Sequence, residues 1–529
     1  MHLSKQALQE DVLQLTNLLV ESHPDPYSAG GGTLAFHRRV QNILASIPED
    51  GMTSSDFLRL LRPLVASVQD GHTSIRPSEK EGGQTVHPRP WLDWDVVEGQ
   101  LYLAGVYRPE DGHFLGARLR MLEGLAFAQL IEGVSRVRGC DNEYHRLVCL
   151  GRAFAEPEFL ADILGCEALP QQLHLTLQLP DGSEQTTVFP LSETAPGKVI
   201  QPATSVSMSD LNAAQLGWSF LDEQRKIACL RATSMSYYRE AFEYSYAVGY
   251  QSHIHANLKK TAQEVTSDPL PEDIAARIAL IPSATDLLQE LFGALRAAQS
   301  THLIIDVRHN GGGNSLFGAM LLYFLYGLER LLSTDEGYQI QRYSPLFFQA
   351  NQNLKPADHQ DALQNGGYDF SMEKAWQIGQ HQKRSKEDLD HEYQDLRRIV
   401  ARTPTFSALL EQQLWEATWT PQVLVLTSAD TYSAGFDLVL ALYRQGADVI
   451  GVPSAQAANC FIDGLWYQLK HSQLEGWISY KRSLGFPDDA ERGKLLRPHI
   501  ELSYAYLASQ GFDPHATVRL ALEHLKGQA

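Results

Sequence analysis

Residues 303–313 read LIIDVRHNGGG, an apolar run that ends in polar residues and three consecutive glycines. An apolar run without alternation is typical of a strand that is buried on both faces of a sheet. The apolar stretch 316–326 behind the glycines predicts a helix, with Gly327 as its stop signal. Strand, glycine turn and helix together predict one unit of an α/β fold.

A second unit of the same kind lies further along the chain. Residues 422–426 read QVLVL, a polar turn follows, and residues 434–445 predict a helix that leads into an apolar strand at 449–451. Strands joined through a helix are usually parallel members of one sheet. Both turns therefore follow the carboxyl ends of buried strands, where α/β sheets gather ligands and reacting groups.

The remaining pattern predicts two or three domains, since a single core rarely exceeds ~250–300 residues and the chain has 529. Residues 1–80 predict an N-terminal helical domain, and residues 81–205 a small β-rich module with a hairpin at Asp181-Gly182. Residues 206–529 carry the α/β core. A stretch rich in charge and glutamine, from about 335 to 415, is interpreted as a helical insertion. The N-terminal helices are predicted at 5–21, 34–46 and 55–68.

Composition excludes several classes of protein. A net charge of −19 and a pI near 5.4 argue against a nucleic-acid binder and against docking on an anionic membrane surface. No apolar segment reaches the ~18 residues of a membrane span, and no signal peptide is visible. We therefore expect either a cytoplasmic protein or a periplasmic or secreted one whose signal has been removed.

The five cysteines are scattered and show no C-x-x-C spacing. We therefore expect neither a zinc site nor a disulfide framework. Cys140 and Cys149 could pair, but the sequence favours buried free thiols.

The glycine turn, 310–313, has the composition of an oxyanion hole. Glycines let backbone N–H groups approach a ligand closely, and N–H groups at a helix start stabilise a developing negative charge. A plain tight turn and a phosphate-binding loop are the alternatives. The Walker A loop is excluded because no Gly-Lys-Ser/Thr follows the glycines.

The polar turn before the second helix reads SADTYSAG at residues 428–435. Ser433 would present its hydroxyl at the helix start, and the N–H of Ala434 would be a second oxyanion donor. A serine N-cap is the alternative interpretation, because Ser and Thr are common caps. Ser428 and Thr431 compete for the same capping role.

Both segments resemble the two signature segments of the S41 family of serine proteases, which includes the tail-specific and tricorn-type enzymes. Three further stretches resemble segments of that family: Gly451-Val452-Pro453-Ser454, Asp70-Gly71-His72-Thr73 and the sequence SHPDPY at residues 22–27. The resemblance implies a ClpP/crotonase-like protease core. It also places residues 81–205 where the family has a PDZ-like domain.

The resemblance implies a serine endopeptidase that cuts near the carboxyl end of partly unfolded chains. Ser433 is then the nucleophile, and the N–H groups of Gly311, Gly312 and Ala434 supply the oxyanion hole. No metal or organic cofactor is needed. The expected partner is a polypeptide substrate, with no nucleic acid and no membrane, and self-association stays open.

One departure decides the branch of the family. Many members use a lysine as the base, and the matching position here is Ala457. The tricorn-type branch uses histidine, and His72 becomes the candidate base, since an ordinary imidazole with a pKa of ~6.5 accepts a proton at neutral pH. Asp70 and Glu491 are the candidates for orienting its ring.

Two asparagines complete the candidate site. Asn459 falls where many lysine-bearing members have an asparagine, and Asn310 precedes the glycines. Both are expected to contact the substrate.

Two other functions remain open from the sequence. The missing lysine, with Ala455 and Gln456 in place of glycines, would suit a catalytically degenerate peptide-binding protein, which a long distance between Ser433 and His72 would support. A crotonase-like acyl-CoA enzyme would share the fold and the paired N–H groups. Thermal stabilisation by acyl-CoA would favour that alternative.

Overall fold

The computed structural model describes residues 2–78, 87–204, 215–248, 251–332, 337–352, 354–355, 376–378, 393–394, 396–411 and 419–528. The helices are α1 (Lys5–Ser22), α2 (Gly32–Ser46), α3 (Ser54–Ala66), α4 (Phe127–Val137), α5 (Glu143–Ala153), α6 (Pro157–Leu164), α7 (Arg239–Ala247), α8 (Gln251–Val265), α9 (Ile274–Ala279), α10 (Ala284–Ala298), α11 (Leu316–Leu332), α12 (Pro345–Ala350), α13 (Pro404–Glu411), α14 (Ala434–Arg444), α15 (Ala490–Lys494), α16 (Tyr504–Ser509) and α17 (Ala516–Gln528).

The strands are β1 (His2–Leu3), β2 (Met52–Thr53), β3 (Ser74–Arg76), β4 (Leu92–Val97), β5 (Gln100–Val106), β6 (Arg118–Leu122), β7 (Leu125–Ala126), β8 (Gln172–Gln178), β9 (Glu184–Pro190), β10 (Leu216–Phe220), β11 (Ile227–Ala232), β12 (His302–Asp306), β13 (Tyr338–Gln341), β14 (Trp376–Ile378), β15 (Gln422–Thr427), β16 (Asp448–Gly451), β17 (Asn459–Gln468), β18 (Glu475–Leu484) and β19 (Ile500–Glu501).

The central sheet has the strand order β10-β11-β12-β15-β16-β19. Its strands from β11 to β19 are parallel, and only β10 pairs antiparallel. The two strands predicted from residues 303–307 and 422–426 are direct neighbours, with Asp306 opposite Leu426 at their carboxyl ends. The predicted parallel sheet is confirmed, and the two turns therefore start side by side.

The uninterrupted apolar character of β12 has a simple cause, because both faces of the strand are covered. Leu303 and Ile305 pack into one core with α10, α11 and α14. Ile304 packs on the opposite face with Val518 and Ala521 of α17. Gly327 breaks α11 with a φ of 78° and the helix resumes after it, so it acts as a kink rather than as the stop that the sequence predicted.

Among the described residues, one helical stretch, 274–298, has the length and apolar composition of a membrane span. It consists of α9 and α10, and Ser283 caps the second of these helices. Leu288 and Leu295 on α10 are fully buried in the core under the central sheet. These contacts are those of a core helix.

A second sheet, of order β14-β13-β18-β17, carries β3 on β18. Strand β3 pairs with the first residues of β18 in antiparallel register, with Trp477 opposite Ser74. Helices α1 to α3 pack on this sheet through an apolar cluster that includes Ile75 and Ile478. The N-terminal helices, confirmed within two residues at each end, thereby deliver the segment from Asp70 to Arg76 to the core.

The third sheet, β4-β5-β6-β8-β9, lies between residues 92 and 190 and packs against α4 to α6. Its β8–β9 hairpin turns at Asp181-Gly182 as predicted, with Gly182 at a φ of 90°. The same apolar cluster includes Ala429 and Val452 from the loops that follow β15 and β16. The identification of this sheet with a PDZ-like domain stays a prediction.

The stretch from about 335 to 415 lies largely outside the described residues. Its described parts contain the strands β13 and β14, which pair antiparallel, as well as α12 and α13. β13 also pairs with β18. The described parts of this stretch therefore extend the second sheet and are not only helical.

Candidate active site

Ser433 stands directly before α14 in a strained backbone conformation. Its φ of 51° and ψ of −131° lie outside the regions that residues with a Cβ normally adopt, at a cost of about 1–3 kcal/mol. Its side chain makes no capping hydrogen bond with the helix. The N-cap interpretation therefore does not explain this serine, and the strain points to a functional role.

The other hydroxyls of the turn hold its shape. Thr431 Oγ1 donates to the carbonyl of Val307 at 2.9 Å and accepts from the N–H of Ser428. Ser454 Oγ donates to the carbonyl of Thr431. The serine turn is thereby attached to the ends of both β12 and β16.

The glycine turn fits directly against Ser433. A Cβ on Gly312 would lie 2.5 Å from the Cβ of Ser433 and 2.9 Å from the carbonyl oxygen of Tyr432. Gly312 also has a φ of 99°. Both the close approach and the positive φ require glycine at this position.

Asn310 joins the two turns. It is fully buried, its carbonyl accepts the N–H of Tyr432 at 2.8 Å, and its side-chain amide donates to the carbonyl of Ala232. Its Oδ1 accepts the N–H of Gly312 at 2.9 Å. These contacts are those of a scaffold, since they use both polar atoms of the side chain that was expected to contact substrate.

The contacts of Asn310 also decide which N–H groups could bind an oxyanion. The N–H of Gly312 already has an acceptor, whereas those of Gly311 and Ala434 make no hydrogen bond within the described part of the chain. Ala434 is the first residue of α14, where N–H groups have no acceptor within the helix. Of the three expected donors, Gly311 and Ala434 are available.

His72 reaches Ser433 across 361 residues of sequence. Its Nε2 lies 3.4 Å from Ser433 Oγ, within hydrogen-bonding reach, and both side chains are half-buried. The backbone N–H of His72 donates to Asp70 Oδ1 at 2.8 Å. The two residues that the sequence proposed as nucleophile and base are brought together.

Asp70 anchors the loop and does not contact the His72 ring. Its fully buried carboxylate accepts from the Thr73 hydroxyl and lies 3.2 Å from His23 Nε2. Because His23 Nδ1 accepts the N–H of Asp25, the proton of a neutral His23 ring sits on Nε2 and is donated to Asp70. Burial raises the pKa of Asp70, but the hydrogen bond from His23 outweighs it and holds the pKa well below its ordinary value.

Tyr432 and Asp141 occupy the other side of the His72 ring. The hydroxyl of Tyr432 lies 3.4 Å from His72 Nδ1 and donates to Asp141 Oδ2 at 2.8 Å. The rings of Tyr432 and His72 stack with their centroids 4.9 Å apart. Asp141 Oδ1 accepts the N–H of Gly71 at 2.9 Å. The group next to the imidazole is therefore a phenol backed by a carboxylate.

The pKa values of Tyr432 and Asp141 agree with a hydrogen bond from the phenol to the carboxylate. Burial raises the pKa of Asp141. Burial, together with the charge of Asp141, raises the pKa of Tyr432 well above that of an ordinary phenol. The hydroxyl therefore stays protonated and donates a hydrogen bond to the carboxylate.

Sequence reasoning missed both residues, and Gly71 is the signal that could have suggested them. A Cβ on Gly71 would lie 2.2 Å from the Tyr432 hydroxyl and 2.3 Å from a ring carbon of His145. The missing side chain of Gly71 makes room for these rings.

Gln456 is a further neighbour of the nucleophile. Its Oε1 accepts the backbone N–H of Ser433 at 2.5 Å, and Ala457, at the position of the family lysine, is buried beside it. The next two lysines along the chain pair elsewhere, Lys470 with Glu10 and Lys481 with Asp463.

Two further expected site residues lie apart from Ser433. Glu491 is exposed in the first turn of α15. Asn459 uses its side chain to bond both the N–H and the carbonyl of Phe486, each at 2.8 Å. Neither makes a contact with Ser433 or His72.

Comparison with known protein families matches the middle part of this chain. Residues 275–459 match the model of peptidase family S41. The matched segment contains the glycine turn, Ser433 and Gln456, whereas His72 and Glu491 lie outside it. No curated protein sequence matches the chain.

The fold extends the likeness to the whole chain. Mature CPAF in complex with lactacystin is similar with a TM-score of 0.56 and 12% identity over 97% of both chains. Mature CPAF gives a TM-score of 0.54 at 12% identity, covering 95% of this chain and 94% of the other. The photosystem II D1 C-terminal processing protease gives 0.40 at 13% identity over 96% and 95%. At these identities, the CPAF matches show a shared fold.

Proposed function

We propose that this chain, whose residues 275–459 match peptidase family S41, is a serine-type peptidase of that family and cleaves polypeptides through an acyl-enzyme on Ser433. The observation that carries the proposal is the distance of 3.4 Å between His72 Nε2 and Ser433 Oγ, beside the glycine turn. His72 acts as general base in this proposal, and the substrate is cut near its carboxyl end, as the resemblance implies.

The first step forms the acyl-enzyme. Ser433 Oγ attacks the scissile carbonyl carbon while its proton passes to His72 Nε2. For Nε2 to accept, the ring must carry its other proton on Nδ1, which then donates to the Tyr432 hydroxyl oxygen. The Tyr432 hydroxyl in turn donates to Asp141, so the imidazolium that forms is stabilised through Tyr432 by a half-buried carboxylate.

The oxyanion of the tetrahedral intermediate is proposed to bind at the N–H groups of Gly311 and Ala434. Collapse of the intermediate breaks the peptide C–N bond, and His72 returns the proton to the leaving amine. Water then attacks the ester with His72 again as base, which releases the carboxylic acid and restores Ser433.

The degenerate-site alternative required a long distance between Ser433 and His72. The observed 3.4 Å favours the catalytic proposal over it. The strained conformation of Ser433 argues the same way, since a merely structural serine would not require it.

The proposal is tested with Ser433→Ala and the control Ser135→Ala, which changes an exposed serine on α4. We expect the first variant to lose at least about 10⁴-fold in hydrolysis of an unfolded polypeptide such as casein. It should also lose labelling by a fluorophosphonate, which should modify Ser433 in the unaltered chain. Unchanged cleavage or labelling of Ser433→Ala would refute the assignment.

A further inference from the structure

Two thiols and an imidazole meet beside the Tyr432 ring and take no part in the proposed hydrolysis. Cys140 precedes α5, and His145 and Cys149 stand one turn apart on that helix. One ligand atom from each lies within 4.8 Å of the other two. Cys140 and His145 are buried and Cys149 is half-buried.

The spacing of the two sulfurs suits a metal ion better than a disulfide. Cys140 Sγ lies 4.0 Å from Cys149 Sγ. In a tetrahedral site with Zn–S bonds of ~2.3 Å, two sulfurs lie ~3.8 Å apart. A disulfide needs ~2.05 Å, so it would require a movement of about 2 Å, whereas a zinc site requires a few tenths of an ångström.

We propose that Cys140, His145 and Cys149 form a binding site for a thiophilic divalent cation, with Zn²⁺ as the ion that best fits two thiolates and one imidazole. Thiolates and imidazole select borderline and soft metals over Mg²⁺ and Ca²⁺. The expectation of no zinc site followed from the missing C-x-x-C spacing. This cluster uses C-x₄-H-x₃-C instead, which needs the helix to bring its members together.

The fourth position of the tetrahedron is proposed to be water. Asp141 is the nearest carboxylate in sequence, but its two oxygens already accept from Gly71 and Tyr432. Three protein ligands with one solvent position are typical of zinc sites that stay open.

A metal bound at this cluster would affect the hydrolytic site through Asp141. The backbone N–H of Asp141 lies 3.3 Å from His145 Nδ1, which accepts it. A metal on Nδ1 would take the lone pair, and a metal on Nε2 would require a proton on Nδ1. Either way the Asp141 N–H loses its acceptor. The side chain of Asp141 bonds Tyr432, which faces His72, so the two sites are connected through one residue.

The test measures metal binding by the full chain, purified in reducing buffer and stripped by a chelator. One equivalent of Co²⁺ should produce a thiolate-to-cobalt charge-transfer band, and one equivalent of Zn²⁺ should abolish it. The double variant Cys140→Ser/Cys149→Ser should lose the band and bind Zn²⁺ at least 100-fold more weakly. The control Cys166→Ser removes a half-buried thiol outside the cluster and should bind like the unaltered chain.

A second measurement uses the unaltered chain and does not depend on the variants folding. The ¹¹³Cd resonance of the cadmium-loaded protein should have the shift of a site with two thiolates. Lack of a charge-transfer band, a shift without sulfur ligation, or equal loss of binding in Cys166→Ser would overturn the proposal. A Cys140–Cys149 disulfide in protein purified without reductant, together with no metal uptake after reduction, would overturn it too. None of these readouts uses peptidase activity, so they stand apart from the roles of Ser433 and His72.

Discussion

The two halves of the candidate active site are built in different ways. The serine half consists of two turns at the ends of the neighbouring strands β12 and β15. Its geometry depends on backbone features, namely a strained serine, a glycine at positive φ and paired strand ends, which nearby side chains support. The histidine half is set by side chains, since His72 is held by contacts with residues from distant parts of the chain. A backbone-built half tolerates little change in shape, and a side-chain-built half can be changed one contact at a time.

The largest expected effect on the histidine half comes from removing the base. His72→Gln should lower kcat about 10³- to 10⁴-fold while leaving the serine turn intact. The control His37→Gln changes an exposed ring on α2 and should keep activity within a factor of two. Steady-state kinetics on one peptide substrate would check both, and near-normal kcat in His72→Gln would move the base to another residue.

A smaller effect is expected from Tyr432→Phe, which removes the hydroxyl between His72 and Asp141. The ring then loses its polar neighbour at Nδ1, so kcat should fall about 10- to 100-fold with little change in KM. Tyr504→Phe is the matched control, because its buried hydroxyl donates to the carbonyl of Gly116, in the loop before β6. Loss of stability alone, with kcat unchanged in the folded fraction, would make Tyr432 merely structural.

The serine half could be proposed from the sequence, and the reason is local. A buried strand, a turn and a helix lie within a few dozen residues in each unit. The glycines or the serine at the strand end suggest a role by their residue type and position alone. The histidine half has no such signature. Asp141 lies 291 residues from Tyr432, and nothing in the sequence around Asp141 shows that its carboxylate will lie behind a tyrosine.

Some long-range information was nevertheless present in the sequence. The segments at 22–27 and 70–73 both resemble segments of the family, and in the fold they meet through His23 and Asp70. The sequence could not show which hydrogen-bond partners each side chain would have. Asp70 was expected at the His72 ring and instead binds the backbone and His23. Asn310 was expected at the substrate and instead joins the two turns.

Asp70→Asn tests the anchor of the histidine half through stability. Removing the charge leaves buried donors from His23 and Thr73 poorly matched, so the free energy of unfolding should fall by about 2–3 kcal/mol near neutral pH. Because the folded-state pKa of Asp70 is lowered, its contribution is complete above the ordinary pKa of ~3.9. It is then lost as the pH falls through the folded-state value.

Urea unfolding at several pH values would measure that contribution. The difference between Asp70→Asn and the unaltered chain should be constant from pH ~7 to ~5 and should shrink below ~4. Asp50→Asn changes an exposed carboxylate and should show no such difference. A gap that widens in acid would mean that the carboxylate is destabilised by its burial rather than stabilised by His23.

The smallest expected effect concerns Glu491, the carboxylate that the family resemblance suggested for the triad. It is exposed on α15 and makes no contact with His72, so Glu491→Gln should change kcat/KM less than about twofold, within the range of a surface substitution. Its comparison with Tyr432→Phe decides which group orients the base. If Glu491→Gln lost 100-fold and Tyr432→Phe did not, the histidine half would have to rearrange when substrate binds, with α15 moving toward His72. Such a rearrangement would only require side-chain contacts of the histidine half to change. The serine half is fixed by strand pairing and by glycine, so it would keep its conformation.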